Sequence, residues 1–276
     1  MHSRTVQILL STYNGEKYIS SQIDSILAQD FDDWELLIRD DLSSDRTPKI
    51  ITSYSEKHPD KIKIIASTKN LGSTQSFMKL IESSTANYIM LSDQDDVWKP
   101  EKISRSLRKI RSIEDGNKIA LIFTDMEVVD KDLNSINASF LEQHHLKSVW
   151  STNPYYVFAQ SMAAGCSMIF NSALRDRLEP VDSKLFQHDH WLLMHAAYYG
   201  MVGFIDWNSM KYRQHEGNSI GSHGISISYF FTKLFSIGKL IKRWKYIQRF
   251  FQPKPSLIKI ISAKLKLNLN RLFTAA

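Results

Sequence analysis

Three features of this 276-residue sequence predict an α/β fold on a mainly parallel, Rossmann-type sheet with helices on both faces and a basic helical tail. Short apolar runs alternate with helical patterns through the first 125 residues. Those runs end in polar or glycine-containing turns. The charge balance then breaks near residue 217. Alternating strand and helix units imply a parallel sheet covered by helices. In such sheets ligands bind beyond the carboxyl ends of the strands.

The first predicted strand is Val6 to Leu10, followed by a helix with Ile19, Ile23, Ile26 and Leu27 at helical spacing. Trp34 to Ile38 is the second strand; its helix follows Asp45 as cap, with Pro48 in the first turn. Ile62 to Ile65 is a third strand and 73–83 a third helix. Tyr88 to Leu91 is a fourth strand, with a helix from Pro100 to about Ser112, and Ile119 to Phe123 is a fifth. Residues 126–187 are less regular. The small-residue patch Ala163-Ala164-Gly165 suggests close backbone approach, to a ligand or to another strand. Trp191 to Tyr199 reads as a buried helix.

Composition is that of an ordinary globular protein, at 43% apolar and 23% charged residues. Cys166 is the one cysteine, so no intrachain disulfide forms, which fits a reducing cytoplasm. Met1 to Thr5 shows no secretory signal pattern, and no apolar run approaches bilayer length. The net charge of +6 hides an asymmetry. Residues 217–276 hold 11 of the 35 Lys and Arg and none of the 29 Asp and Glu, leaving 24 bases against 29 acids in residues 1–216.

The segment Ser92-Asp93-Gln94-Asp95-Asp96 carries the most chemistry. Three carboxylates within four residues follow a buried strand, and their mutual repulsion calls for a compensating charge. A hard divalent cation with oxygen ligands meets that need and bridges to phosphates. A metal-assisted reaction on a phosphorylated substrate is the expected chemistry.

Seven segments, in order, resemble the nucleotide-diphospho-sugar glycosyltransferases of family 2, which have the GT-A fold. They are Ser-Thr-Tyr-Asn-Gly at 11–15, Asp-Asp-Leu-Ser-Ser-Asp at 40–45, Asn-Leu-Gly at 70–72, Ser-Asp-Gln-Asp-Asp at 92–96, Gly-Cys-Ser-Met-Ile-Phe-Asn at 165–171, His-Asp-His-Trp at 188–191 and Tyr-Arg-Gln-His-Glu-Gly-Asn at 212–218. The last two look most like bacterial rhamnosyltransferases of surface polysaccharide synthesis. The resemblance covers about residues 4–221. It implies a catalytic domain over 1–221 and leaves 222–276 as a basic amphipathic tail.

The resemblance also implies roles. Asp189 aligns with the family's catalytic base. Thr12, Tyr13, Asn14, Asp41, Asp93 and Gln94 fall in donor-binding segments, with Tyr13 against the nucleotide base and Asp41 hydrogen-bonding it. Asp95 would hold Mg²⁺ or Mn²⁺, and His215 falls where the family places a residue at the diphosphate or metal. The chain lacks the Gln-x-x-Arg-Trp element and the membrane helices of processive synthases, which argues for single addition. The chemistry adds Arg213 as a phosphate clamp, because guanidinium matches phosphate bidentately. His188 and His190 flank Asp189 and would tune its pKa or bind the acceptor, and Trp191 beside them is a further acceptor contact.

The expected enzyme is an inverting hexosyl- or rhamnosyltransferase that uses a dTDP- or UDP-sugar. Its acceptor would be a growing, lipid-linked surface glycan. A non-catalytic nucleotide-sugar-binding or scaffold protein is the alternative. A dinucleotide enzyme is disfavoured because the first strand-helix turn has no Gly-x-Gly-x-x-Gly.

In the tail, Phe230, Leu234, Ile237, Ile241, Trp244 and Phe251 recur at helical spacing before Pro253 and Pro255. Leu257, Ile261 and Leu265 resume the pattern. One reading is a helix lying on an anionic membrane, which would place the protein peripherally at the inner face of the cell membrane. The other is a helix pair packed on the domain with basic outer faces. The first is favoured here. No nucleic-acid partner is expected, because the aromatics follow helical spacing and match no binding module.

Overall fold

The computed structural model describes residues 4–216 and 237–274. The expected domain boundary at 221/222, Phe230 and Leu234 of the tail pattern, and Gly217-Asn218 of the last motif lie outside the described residues.

The first half follows the predicted alternation. β1 (Val6–Thr12), α1 (Ile19–Leu27), β2 (Trp34–Asp40), α2 (Thr47–Lys57), β3 (Ile62–Ile64), α3 (Ser73–Ser83), β4 (Tyr88–Ser92), the short β5 (Val97–Trp98) and α4 (Lys102–Ile113) come in order. Asp45 serves the start of α2, accepting the Thr47 amide at 2.9 Å. Every residue of β4 is buried, so its apolar run needs no alternation.

The irregular middle resolves into β6 (Ala120–Val129), β7 (Ser135–Asn137), α5 (Phe140–Gln143), α6 (Pro154–Ala159), β8 (Met168–Asn171) and α7 (Ser172–Arg177). After these come α8 (His188–Tyr199) and β9 (Met201–Arg213). Strand order is β3-β2-β1-β4-β8-β6-β9-β5, with β7 on β6. Strands β1, β2, β3, β4, β6 and β9 share one direction, whereas β5, β7 and β8 run against it. The sheet is therefore mainly parallel, as expected. The reversed β8 is the part that strand-helix alternation does not announce.

Two helices close the chain, α9 (Ile237–Ile247) and α10 (Leu257–Thr274). They pack on the α/β domain, which is the reading the sequence did not favour. Phe251, between them, is fully buried, with its ring centroid 5.1 Å from Phe158, 5.7 Å from Trp191 and 4.6 Å from His195. Ile247, Ile260 and Leu267 join the same core. Among the described residues no helix is long and apolar enough to cross a membrane.

Candidate active site

β1 lies between β2 and β4. The chain steps outward from β1 to β2 to β3, then returns to the other side of β1 as β4. The segments leaving the ends of β1 and β4 therefore part and open a crevice, the general ligand position in such sheets. A cleft of about 580 Å³ occupies it, walled by Tyr13, Asp41, Asp93, Asp95 and, from the far side, Asp189.

Gln94 staples the two loops. Its Oε1 accepts from Thr12 Oγ1 at 2.6 Å and from the Tyr13 amide at 2.8 Å, and its Nε2 donates to the Tyr13 carbonyl at 3.2 Å. Gly15 makes room for this: a Cβ there would stand 2.4 Å from Gln94 Oε1. Tyr13, half exposed, is held by its backbone and walls the cleft. Asn14 does not wall the cleft. It adopts φ 48° and its Oδ1 accepts the Ser44 amide at 2.9 Å, tying the β1 loop to the β2 loop. Asn14 thus shapes the cleft without walling it.

Asp41 is buried. Arg39 Nη1 and the Leu71 amide donate to its Oδ1 at 2.6 and 2.8 Å, and the Gly72 amide donates to Oδ2 at 2.7 Å. Burial pushes its carboxyl up, but these hydrogen bonds together outweigh that and hold it below the ordinary value. Each carboxylate oxygen accepts about two bonds, so Oδ2 keeps capacity for a ligand donor.

The acidic turn after β4 is layered. Asp93 and Asp95 wall the cleft, while Asp96 is fully buried beneath. Burial and then the Asp95 charge push Asp93 up to about 7; burial, Asp95 and Asp93 push Asp96 well above its ordinary value. Asp96 Oδ2 is buried and has no hydrogen-bond partner among the described residues. His215 Nε2 lies 2.8 Å from Asp95 Oδ2, so the two expected metal ligands do come together.

Under the turn sits a residue sequence reasoning missed, the fully buried Lys102. Its Nζ donates to the Cys166 carbonyl and to Ser209 Oγ, both at 2.9 Å, and burial lowers it to about 8. Its signal was available. Lys102 shares the buried face of α4 with Ile103, Ser106, Leu107 and Ile110, and a lysine on an apolar face needs a buried counter-charge. Asp93, Asp96 and Cys166 come within 4.8 Å of one another, and burial keeps the Cys166 thiol protonated against Asp93.

Arg213 corrects an expectation. It is buried and does not wall the cleft. Its Nε donates to the Asp95 carbonyl and its Nη1 to the Lys131 carbonyl, both at 2.7 Å, while its amide donates to Asp96 Oδ1 at 3.1 Å. Arg213 braces the acidic turn from behind, tying its Asp95 carbonyl to the Lys131 carbonyl that follows β6.

Asp189 lies in the first turn of α8, which begins three residues earlier than the apolar pattern indicates. Gly165 lies against it; a Cβ at Gly165 would come 2.9 Å from His188 Nε2 and 3.4 Å from Asp189 Cβ. The small-residue patch therefore allows a close approach, made by the first turn of a helix and not by the strand offered as the alternative to a ligand. Burial pushes the Asp189 carboxyl up to about 6, against the opposing effect of the His190 and Gly165 amides. His188 also walls the cleft, stacked on Phe77 at 4.1 Å and driven down to about 3 by burial, hence neutral.

His190 and Trp191 separate from that group. His190, neutral for the same reason, bonds the Val157 carbonyl at 2.6 Å and walls a second cavity behind Asp189. Trp191 is fully buried, and its Nε1 donates to the Glu179 carbonyl at 2.8 Å. The expectation that Trp191 touches an acceptor is corrected: its place on α8 turns the indole into the core beneath the tail.

Comparison with known proteins agrees with this geometry. The family model described as "Glycosyl transferase family 2" matches residues 7–176, more than half of the chain. The dTDP-rhamnosyl transferase RfbG of Shigella flexneri is 26% identical over 247 residues, covering 85% of this chain and 80% of its own. The chain spans 66%, 80% and 44% of the lengths of the first curated relatives it matches. Among solved structures, S. aureus TarS in complex with UDP-GlcNAc superposes with a TM-score of 0.67 at 17% identity, over 96% of this chain and 72% of that one. The mannosyltransferase PcManGT of Pyrobaculum calidifontis, in complex with GDP-Man and Mn²⁺, gives 0.60 at 18% identity, over 100% and 74%. With these matches and the cleft at the β1/β4 switch, the chain belongs to glycosyl transferase family 2 and has the GT-A fold.

Proposed function

We propose that the protein transfers a single sugar, with inversion, from a nucleoside-diphosphate donor to a hydroxyl of a growing bacterial surface glycan, using Mg²⁺ or Mn²⁺. One observation carries this reading: among the described residues the cleft is walled by Asp41, Asp93, Asp95 and Asp189 and by no Lys or Arg. A diphosphate entering four carboxylates meets repulsion unless a divalent cation accompanies it. The orphaned Asp96 oxygen and the Asp95–His215 pair fit that need. A bound ion at Asp95 and His215 would neutralise charge on the departing diphosphate.

The chain's own residues do the rest. The Tyr13 ring offers a platform for the base, and Asp41 Oδ2 accepts a donor from its edge. Thr12 and Gln94 fix the loop that carries Tyr13. The acceptor oxygen attacks the anomeric carbon opposite the leaving group, and the carbon–oxygen bond to the diphosphate breaks with its electron pair. The hydroxyl proton passes to Asp189. A base held up at about 6 is ionised at neutral pH yet basic enough to take it. The similarity to a dTDP-rhamnosyl transferase supports a dTDP- or UDP-linked rhamnose or hexose as donor.

A cytoplasmic location at the inner membrane face is part of the same reading. The exposed stripe Ile258, Leu265 and Leu269 on α10, with Lys259 and Lys266 among it, supports contact with an anionic bilayer. The testing experiment follows nucleoside diphosphate release and thermal shift with UDP-, dTDP- and GDP-sugars in Mn²⁺, Mg²⁺ or EDTA. Metal-dependent response to one donor is expected. No response to any donor would overturn the proposal.

A further inference from the structure

Lys102, the first residue of α4, is fully buried and has no place in the transfer described above. An ammonium carries three N–H donors. Three acceptors surround this one: the Cys166 carbonyl and Ser209 Oγ, both at 2.9 Å, and Met210 Sδ at 3.2 Å. The Trp98 ring centre stands 4.7 Å from Nζ. All three acceptors are neutral, so none of them cancels the buried charge.

Each contact leads to a different part of the site. Cys166 follows Gly165, whose amide bonds the Asp189 carboxylate and whose missing Cβ makes room for His188. Ser209 and Met210 lie on β9, shortly before Arg213, which bonds the Asp95 carbonyl. Lys102 itself follows the acidic turn by way of β5, where Trp98 pairs with Met210. The ammonium therefore joins the turn that carries Asp95, the strand that leads to His215 and the wall that carries Asp189. Its charge also reaches the acids. Asp93, Asp96 and Cys166 come within 4.8 Å of one another. Burial chiefly pushes both carboxyls up, and the Lys102 charge works against it at each.

We infer that Lys102 is a positioning residue of the transferase: its ammonium is a built-in counter-ion that keeps the acidic turn closed before a divalent cation arrives, and it lowers the turn's affinity for that cation. This rests on the glycosyltransferase reading above. With nothing beneath them, Asp93, Asp95 and Asp96 would part through mutual repulsion or hold a divalent ion too tightly to exchange. A fixed single charge offsets part of the repulsion and also repels the incoming ion, which carries twice its charge. The diphosphate supplies the attraction that is then missing, so cation and nucleotide enter and leave together. A compact ammonium suits the three acceptors around it, whereas a planar guanidinium presents its donors as a fork.

The test titrates the full chain with Mn²⁺ alone at neutral pH, reading free Mn²⁺ by electron paramagnetic resonance, and records Tm in EDTA. Lys102→Met removes the donors and the charge; Lys102→Gln keeps a donor and removes the charge. Both should lower Tm in EDTA and tighten Mn²⁺ binding about 10-fold, the scale of one buried unit charge acting on a nearby divalent ion. Lys102→Arg, which keeps the charge, should bind Mn²⁺ as the wild type does. Ser209→Asp keeps the lysine and sets a carboxylate against it, so it should tighten Mn²⁺ by a second route and decides the matter if the neutral variants fail to fold. A side chain that only fills space would change Tm and leave Mn²⁺ affinity unchanged or weaker. A wild type that binds Mn²⁺, with no tightening in Lys102→Met, Lys102→Gln or Ser209→Asp, overturns this inference while leaving the transferase reading intact. A wild type that binds no Mn²⁺ would instead overturn the cation assignment to Asp95 and His215, and this inference with it.

Discussion

His215 Nε2 and Asp95 Oδ2 meet at 2.8 Å although 120 residues separate them in the chain. The meeting is a consequence of sheet topology. The short β5 follows the acidic turn and pairs antiparallel with β9, with Val97 opposite Lys211, which returns the end of β9 to the turn it must complete. Arg213 bonds the turn's backbone at Asp95 and Asp96, and Tyr18 stacks near both Arg213 and His215, at 4.6 and 4.8 Å.

If this pair holds the cation, Asp95→Ala should lose metal-dependent donor binding by more than the roughly 10–100-fold typical of residues that only support a ligand. His215→Ala should fall within that range. Thermal shift with a nucleoside diphosphate, titrated with Mn²⁺, checks both. Unchanged Mn²⁺ dependence in Asp95→Ala would remove it from the site.

Asp189→Asn should lower kcat by about 10²–10⁴-fold while donor binding is retained. In the wild type, the rate should rise with pH through about 6 and level off above it, because the base must be ionised. Stability moves the other way. The folded carboxyl titrates above its ordinary 3.8, so the folded state binds more protons between about 4 and 6 and loses stability as pH rises across that window. Asp189→Asn should therefore gain in Tm over the wild type as pH rises from 4 to 6, then hold a constant lead. Parallel Tm curves would show that burial does not perturb this group.

Arg39 and Asp41 form a buried pair at 2.6 Å. Asp41→Ala strands the guanidinium and should cost about 3–5 kcal/mol by denaturant titration at pH 7. Asp41 is held below its ordinary value, so its contribution is present above that value and is lost as pH falls through the folded pKa. The gap between mutant and wild type should close in acid.

Phe251→Ala should destabilise the protein by about 3–5 kcal/mol, as a fully buried aromatic truncated in place. Deleting 237–276 would uncover Phe158, Trp191 and His195 and should broaden or abolish cooperative thermal unfolding. A truncated chain with unchanged Tm would show that the tail contributes no packing.

Much of this protein was legible in the sequence. Apolar runs such as Tyr88 to Leu91, short and alternating with helical patterns, read as buried strands, and polar turns at their ends mark a ligand edge, so the parallel half of the sheet and the cleft residues Thr12, Tyr13, Asp41, Asp93 and Asp95 could be read in order along the chain, whereas Asp189, in the first turn of a helix, came only from the family resemblance. What depends on contacts between distant segments could not. Periodicity reports which face of an element is buried but not what covers it, so the patterns that made Trp191 part of a buried helix and Phe251 part of an amphipathic tail did not say that the two pack on each other. A guanidinium's chemistry says that it can bind phosphate, and only the neighbouring Asp95 and Lys131 carbonyls decide that Arg213 binds backbone instead. The direction of β8, the charge buried at Lys102 and the basic cavity behind Asp189 were likewise decided by tertiary structure, because each joins segments far apart in the chain whose meeting no local pattern encodes.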